Sequence, residues 1–208
     1  VESQGMAKDS FVAVQMFREM APLAQEDWFP RGYGIFYVPW SYEPFQNGSF
    51  YMNGEPFRIF CGTVHYFRVF PEQWYDRLYR LKCLGFNTVD TYCAWNLHEA
   101  YEGEYDFDGR LDVEKFLSVA AELGLYVVVR PGPYICSECD LGGLPAWLLR
   151  DNNIRLRSDD SAYFEKVRRY MRVLTQKINP HLATNGGNVI AVAAENEYGS
   201  FGNSRRYM

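Results

Sequence analysis

The sequence predicts an α/β fold, specifically a (β/α)8 barrel truncated to about its first four strand–helix units. Short apolar runs alternate in order with helical periodicity, which indicates parallel strands joined by crossover helices. Both long connections follow strands, whereas the connections that lead back into strands are short, as in a barrel with its site at the carboxyl ends of the strands. A doubly wound sheet also fits the alternation, but no glycine-rich phosphate-binding motif follows any strand.

The first two units are predicted over residues 57–92. A first strand is expected at Phe57–Val64, where apolar and β-branched residues dominate. Pro71 is a suitable first residue for the next helix, and Gly85 is a suitable stop. The second strand is expected over Phe86–Tyr92. The apolar face of the helix consists of Trp74, Leu78 and Leu81.

The third and fourth units are predicted over residues 113–194. A helix with a periodic apolar face runs from Val113 to Gly124, and a longer one covers Phe164–Ile178. The third and fourth strands are expected at Leu125–Val129 and Val189–Ala194. Both are continuous apolar runs, of the kind that parallel sheets bury on both faces.

Composition bounds the class of protein. With 208 residues, 48% of them hydrophobic, the chain can bury a sizeable core. The net charge of -5 and the absence of long like-charge blocks give no case for a nucleic-acid partner. No run approaches the roughly 18 apolar residues of a transmembrane segment, and residues 1–10 lack the pattern of a signal peptide. Residues 1–46 show little periodicity, so the barrel domain is expected over residues 47–208.

The predicted fourth strand ends in three consecutive polar residues, Glu195, Asn196 and Glu197. Three polar side chains at the carboxyl end of a buried parallel strand are costly to desolvate, so they need partners or a cleft. This end of the strands is also where barrels carry their chemistry. Our hypothesis is that Glu197 is a catalytic acid/base. A solvated loop or the cap of a following helix remains the alternative for these three residues.

Four segments together resemble one known family. Their order and spacing are similar to those of the β-galactosidases of glycoside hydrolase family 35, and the likeness covers roughly residues 47–202. Because four separate motifs are in register, the resemblance is specific. The segments are Tyr92–Glu99, Arg130–Glu138, Gly142–Leu148 and Glu195–Gly199.

The resemblance implies a retaining enzyme that removes terminal β-linked galactose, with a β-galactoside as substrate and with neither cofactor nor metal. Glu197 matches the family's acid/base, and Asn196 matches the neighbour that contacts the 2-hydroxyl of the sugar. Residues 136–138 match a segment that hydrogen-bonds sugar hydroxyls, partly through its backbone. The expected substrate-binding residues are Tyr92, Cys136, Ser137, Glu138 and Asn196.

The sequence also departs from the family pattern. Asn188 stands where Pro is usual and Ala193 where Gln is usual, which predicts altered packing around the fourth strand. Ser137 and Cys139 replace Ala and Trp, which could change the wall of the site. The family's nucleophilic Glu follows the seventh strand, past Met208, so this chain is expected to be inactive alone.

No carboxylate within the chain is a convincing substitute for that nucleophile. Glu99 and Glu138 match non-nucleophilic positions of the family. Glu195 should point in a different direction from Asn196, since neighbouring side chains alternate along a strand. The resemblance suggests a secreted, lysosomal or vacuolar location, whereas the oligomeric state stays open.

Several alternatives stay open on the sequence alone. Cys136 and Cys139 could form a redox or metal pair, although one such pair supplies only two ligands. His98 is predicted to be a hydrogen-bonded loop residue rather than a general base. Another retaining barrel glycosidase, or a non-catalytic carbohydrate-binding or interaction protein that kept half of the barrel, are the rival functions.

Overall fold

The computed structural model describes residues 45–46, 49–52 and 55–208, so residues 1–44 of the predicted N-terminal segment lie outside it. The strands are β1 (Phe45–Gln46), β2 (Ser49–Met52), β3 (Glu55–Phe57), β4 (Cys61–Thr63), β5 (Thr88–Tyr92), β6 (Tyr126–Gly132) and β7 (Val189–Ala194). The α-helices are α1 (Pro71–Cys83), α2 (Trp95–His98), α3 (Val113–Glu122), α4 (Ser161–Ile178) and α5 (Tyr198–Phe201). Short 3-10 helices cover Tyr66–Arg68, Gly109–Leu111, Asp140–Gly143, Ala146–Arg150, Asn179–His181 and Ala183–Asn185.

These strands form two sheets. β1, β2 and β3 form an antiparallel meander. β4, β5, β6 and β7 form a parallel sheet in chain order, with helices in the connections between them. The predicted α/β fold with a parallel sheet is therefore confirmed. Among residues 45–46, 49–52 and 55–208, no helix has the length and apolar character needed to cross a membrane.

The prediction of one strand over residues 57–64 was wrong, because this stretch contributes to both sheets. Phe57 ends β3 in the meander, and β4 begins only at Cys61. The side chain of Asn87 holds the intervening backbone: it accepts from the amide of Phe60 at 2.9 Å and donates to the carbonyl of Arg58 at 2.8 Å. The apolar residues Ile59 and Phe60 lie in the break itself, so the sequence pattern did not mark it.

The three longest helices, α1, α3 and α4, begin at a proline or directly after a capping aspartate. Pro71 is the first residue of α1 and has no amide to satisfy. Asp112 caps α3 by accepting from the amide of Lys115 at 2.9 Å, and Asp160 caps α4 in the same way. The buried faces of these helices include Trp74, Leu78, Phe116, Leu117, Val167, Met171 and Leu174.

The parallel sheet has one buried face and one half-buried face. Val127 and Val129 of β6 are fully buried and belong to the hydrophobic core that the helices complete. The intervening residues Tyr126, Val128 and Arg130 are only half-buried. Within the described residues the expected burial of the third strand is seen on one face, whereas side chains on the second face keep access to solvent. This half-buried face carries the polar residues considered next.

Candidate functional site

Side chains from three neighbouring strands meet at the carboxyl edge of the parallel sheet. Tyr92 ends β5, Arg130 lies near the end of β6, and Asn196 follows β7. The Asn196 Oδ1 accepts from Arg130 Nη2 at 2.6 Å and from the Tyr92 hydroxyl at 3.3 Å. The guanidinium also lies 4.3 Å from the centroid of the Tyr92 ring. The structure thus brings together two of the predicted site residues and adds a cation between them.

These contacts orient the amide of Asn196. Both hydrogen bonds end on Oδ1, so the Nδ2 group is left free to donate elsewhere. A buried amide whose acceptor is occupied twice has little freedom to rotate. It is therefore a prepared donor for an oxygen atom placed above the strand ends.

His65 supports this cluster from the adjoining connection after β4. Its Nδ1 accepts from the amide of Tyr92 at 3.3 Å, and its ring lies 4.9 Å from the Tyr92 ring. Burial, together with the nearby charges of Arg68 and Arg130, lowers the pKa of His65 to about 4. The imidazole is thus neutral at physiological pH and acts as an acceptor. It fixes Tyr92 without adding charge.

Asp90 lies two residues before Tyr92 in β5, so it is an acidic residue on the same face of the sheet. Burial raises its pKa, while Arg130 and a hydrogen bond with Thr63 oppose this rise. Burial also raises the pKa of Tyr92, Arg130 opposes this rise, and Asp90 and then Cys136 add to it. Arg130 is therefore the positive charge that opposes the rise in pKa of both Asp90 and Tyr92.

Glu197 directly follows Asn196 in the chain. It is exposed, and it stands immediately before α5 in a left-handed backbone conformation with φ 50°. Its carboxylate makes neither a hydrogen bond nor an ion pair with any residue that the structure describes. A carboxylate with these properties can exchange a proton with a ligand.

Glu195, two residues before Glu197, is buried. Its carboxylate pairs with Arg157 at 2.6 Å, and the hydroxyl of Tyr207 donates to it at 2.7 Å. The prediction that Glu195 and Asn196 point in different directions is confirmed, since Glu195 faces Arg157 and Asn196 faces Tyr92. Glu195 is thus part of the packed interior.

The segment Cys136–Glu138 forms a tight loop after β6. These three residues all have left-handed backbone angles, with φ 57°, 48° and 46°. Such angles cost about 1–3 kcal/mol each in non-glycine residues, so surrounding contacts must hold them. Arg68 supplies one such contact, because its guanidinium donates to the carbonyl of Ser137 and lies 3.9 Å from the Glu138 carboxylate.

The side chains of this loop differ in exposure. The Glu138 side chain is 89% exposed, whereas Ser137 is buried and its Oγ has no partner among the described residues. Cys136 is half-buried, and Cys136 and Cys139 are both free thiols. Within residues 45–46, 49–52 and 55–208, no group of three or more His, Cys, Asp or Glu side chains is arranged to hold a metal ion.

His98 has a structural role. It is fully buried: Nε2 lies 2.5 Å from the Tyr66 hydroxyl, and Nδ1 lies 2.8 Å from the carbonyl of Asp106. Because a carbonyl only accepts, Nδ1 carries the proton and Nε2 accepts from Tyr66. Both nitrogens are occupied, which confirms that His98 is a hydrogen-bonded residue rather than a general base.

Asn188 uses its amide to join β7 to the core. Its Nδ2 donates to the carbonyls of Leu117 at 3.2 Å and Leu125 at 3.0 Å. A proline at this position would lack both bonds. The predicted change in packing at the start of the fourth strand is therefore a pair of hydrogen bonds to α3 and to the residue before β6.

A family profile described as "Glycosyl hydrolases family 35" matches residues 49–208. This match covers more than half of the chain and includes every segment of the site. The chain belongs to glycosyl hydrolase family 35. Membership in this family agrees with the resemblance found in the four sequence segments.

Curated relatives include β-galactosidases of animals and plants. Beta-galactosidase-1-like protein 3 of Homo sapiens is 52% identical over 159 residues, covering 76% of this chain and 24% of the relative. Beta-galactosidase of Bos taurus is 50% identical over 157 residues, with 76% and 24% covered. Beta-galactosidase 8 of Oryza sativa subsp. japonica is 51% identical over 164 residues, with 78% and 24% covered. The chain thus spans about a quarter of the length of these family 35 relatives.

Solved structures of other glycosidases share the fold. GH5_18 from Streptomyces cattleya, in complex with GlcNAc, has a TM-score of 0.54 and 18% identity over 71% of this chain and 36% of that chain. Exo-beta-1,4-mannosidase Op5Man5 from Opitutaceae bacterium strain TAV5 has a TM-score of 0.53 and 22% identity, with 72% and 26% covered. At these identities the likeness is one of fold alone.

Three residues of the site were missing from the sequence-based candidates: His65, Arg130 and Arg157. Arg130 had a detectable signal, because a cation that follows the apolar run 125–129 on a buried strand needs a partner. His65 and Arg157 had none. Arg157 lies 38 residues before its partner Glu195, in a segment without periodicity.

Proposed function

We propose that this chain is the N-terminal part of the catalytic domain of a retaining β-galactosidase. The substrate is a terminal β-linked galactose on a glycan or an oligosaccharide. The observation that carries the proposal is the convergence of Tyr92, Arg130 and Asn196, together with the exposed Glu197 that follows Asn196 in the chain. The names of the curated relatives support galactose as the sugar.

In this proposal Glu197 is the acid/base. A retaining glycosidase uses two carboxyl groups about 5–5.5 Å apart, one to protonate the leaving group and one to attack the anomeric carbon. The exposed carboxylate of Glu197 suits the first role, since it is not neutralised by a cation of the described residues. After the leaving group departs, the same carboxylate would activate the water that completes hydrolysis.

Asn196 and Tyr92 would hold the sugar ring. The Nδ2 group of Asn196, oriented by Arg130, is suited to donate to the 2-hydroxyl, where hydrogen bonds strengthen in the transition state. Tyr92 would offer the sugar an aromatic ring and a hydroxyl group. Arg130 would keep both groups in place.

The loop Cys136–Glu138 would hold the remaining hydroxyls. The exposed carboxylate of Glu138 is a strong acceptor for sugar hydroxyls. The buried Oγ of Ser137 has no partner among the described residues and could accept or donate within this wall. Cys136 would contribute through its backbone.

We assign the nucleophile to a later part of a longer polypeptide, after the seventh strand of a complete (β/α)8 barrel. The parallel sheet described here supplies four adjoining strands, and about eight are needed to close the barrel. The 208-residue chain alone is therefore expected to give no turnover. A secreted, lysosomal or vacuolar location belongs to the same proposal and rests on the family alone.

The test is the substrate preference of the full-length polypeptide that contains these residues. It should hydrolyse 4-nitrophenyl β-galactoside in preference to the matching β-glucoside and β-mannoside, and proton NMR should detect β-galactose as the first product. Preference for the β-mannoside, or release of α-galactose first, would contradict the proposal. Galactose binding without turnover would favour the non-catalytic alternative.

A further inference from the structure

Four hydrogen-bond donors converge on the buried carboxylate of Glu195. Arg157 donates from Nε at 3.2 Å and from Nη2 at 2.6 Å, the Tyr207 hydroxyl donates at 2.7 Å, and the amide of Asn196 donates at 2.9 Å. The side chains of Arg157 and Glu195 are only 7% and 2% exposed. A carboxylate accepts at both oxygens, so it satisfies all four donors, which an amide of the same shape cannot do.

The same guanidinium also holds the main chain of the proposed site. Arg157 Nη2 donates to the carbonyl of Asn196 at 2.6 Å, while Glu195 accepts from the amide of Asn196. Asn196 is thus held on both sides of its Cα. Its carbonyl belongs to the peptide unit that continues into the nitrogen of Glu197, so a contact to this oxygen sets where Glu197 begins.

Aromatic rings fix the position of the guanidinium. Its central carbon lies 3.7 Å from the ring centroid of Tyr134, 4.3 Å from that of Phe201 and 5.6 Å from that of Tyr198. Tyr134 belongs to the connection after β6, and the other two rings belong to α5. Arg157 therefore contacts both the connection after β6 and α5. A lysine lacks the planar guanidinium, so it could not make the same ring contacts and hydrogen bonds together.

The backbone around Asn196 needs such support. Glu195 and Glu197 both have left-handed angles, with φ 61° and 50°, and Arg157 itself has φ 51°. Non-glycine residues keep such angles only where the surrounding contacts over-determine them. Hydrogen bonds to both the amide and the carbonyl of Asn196 are contacts of this kind.

We infer that Arg157 and Glu195 form a positioning pair that sets the Asn196–Glu197 peptide, so that the Glu197 carboxyl meets the glycosidic oxygen of the substrate. Neither residue touches the substrate, and both act through the backbone of Asn196. The inference rests on the proposed function for its catalytic consequence. Its structural part, the holding of the peptide, does not depend on turnover.

The kinetic test uses Arg157→Lys and Glu195→Gln in the full-length polypeptide. Because a misplacement of about 1 Å can cost about 10²-fold, kcat/KM for lactose should fall about 10- to 100-fold. 2,4-Dinitrophenyl β-galactoside has a good leaving group that needs little protonation, so its kcat/KM should fall far less. An equal loss on both substrates, or no loss on lactose, would overturn the inference.

The matched control is Arg169→Lys. Arg169 also pairs with a buried glutamate, Glu99, at 2.8 Å, but the hydrogen bonds and ion pairs of this pair do not involve residues 195–197. Its variant should lower the melting temperature and leave the ratio of the two kcat/KM values as in the wild type. If the stronger variants fold poorly, Tyr207→Phe is used in their place, because it removes only one of the donors to Glu195. It should change the kinetics in the same direction by a smaller amount.

Hydrogen exchange separates the positioning from the activity. Peptides that cover residues 195–201 should exchange faster in Arg157→Lys and Glu195→Gln than in the wild type or Arg169→Lys. Unchanged exchange in these peptides would overturn the positioning pair. If exchange rises as expected and the wild type cleaves no β-galactoside, the pair stands and the proposed function fails.

Discussion

Glu195 and Glu197 stand two residues apart and have opposite surroundings. Glu195 is buried against Arg157 and receives four hydrogen bonds, whereas Glu197 is exposed and receives none from the described residues. The first carboxylate is committed to holding the backbone. The second is free to exchange a proton. Neighbouring acids in one motif thus take a structural or a chemical role according to their partners.

The largest expected effect tests the proposed chemical role of Glu197. In the full-length polypeptide, Glu197→Gln should lower kcat for lactose by about 10²- to 10⁴-fold, the usual contribution of general acid/base catalysis. The rate of the first step with an activated aryl galactoside, the transfer of galactose to the enzyme, should change little, because this leaving group needs no proton. The melting temperature should change little, since the side chain is exposed. Equal loss on both substrates would count against the acid role.

The structural half predicts a large loss of stability at Glu195. Glu195→Ala leaves the buried Arg157 without its counter-charge, and breaking a buried pair in this way costs about 3–5 kcal/mol. The urea midpoint of the full-length protein should fall accordingly. Glu197→Ala is the matched control and should shift the free energy of unfolding by less than about 0.5 kcal/mol, as expected for a surface change. Similar urea midpoints for Glu195→Ala and Glu197→Ala would contradict the structural role of Glu195.

Part of this division was predictable from the sequence. The apolar run of β7 and the polar residues after it predicted a strand that ends at a functional edge, and strand alternation separated Glu195 from Asn196. The partners were not predictable. The pairing of Arg157 with Glu195 depends on how an irregular segment returns to the sheet, and local sequence patterns do not encode such a path.

The same limit applies to the start of the barrel. The apolar run 57–64 predicted one strand, yet the chain leaves the meander and enters the parallel sheet within it. Hydrogen bonds from Asn87, far along the sequence, hold that break. Helices with capping residues and regular apolar faces were predicted well, because their signals are local.

A smaller effect tests the ring that supports Arg157. Gly142 has φ +62°, and a Cβ there would lie 1.9 Å from the Tyr134 ring, so Gly142→Ala must displace that ring from the guanidinium. Gly186→Ala is the control, since it also has a positive φ of +83° but meets nothing within 4 Å. Both variants carry backbone strain of about 1–3 kcal/mol. Only Gly142→Ala should also lower the activity on lactose, and equal behaviour of the two would contradict the role of Tyr134.

The smallest expected effect concerns the sugar-facing cluster. Tyr92→Phe removes a single hydrogen bond of 3.3 Å to Asn196 and keeps the ring beside Arg130. One such bond contributes about 0.5–1.5 kcal/mol, so inhibition by galactose should weaken by about two- to tenfold. Tyr101→Phe is the control at an exposed tyrosine outside the cluster. Unchanged inhibition in Tyr92→Phe would separate this hydroxyl from galactose binding.

The most direct measurement is azide rescue of Glu197→Ala in the full-length polypeptide. With an activated aryl β-galactoside, a missing acid/base leaves the galactosyl-enzyme intact, and azide attacks it from the face that water would use. If Glu197 is the acid/base, turnover should be faster with azide, and β-galactosyl azide should be the product. No rescue, or the α-azide expected when the nucleophile is missing, would contradict the assignment of Glu197 as the acid/base.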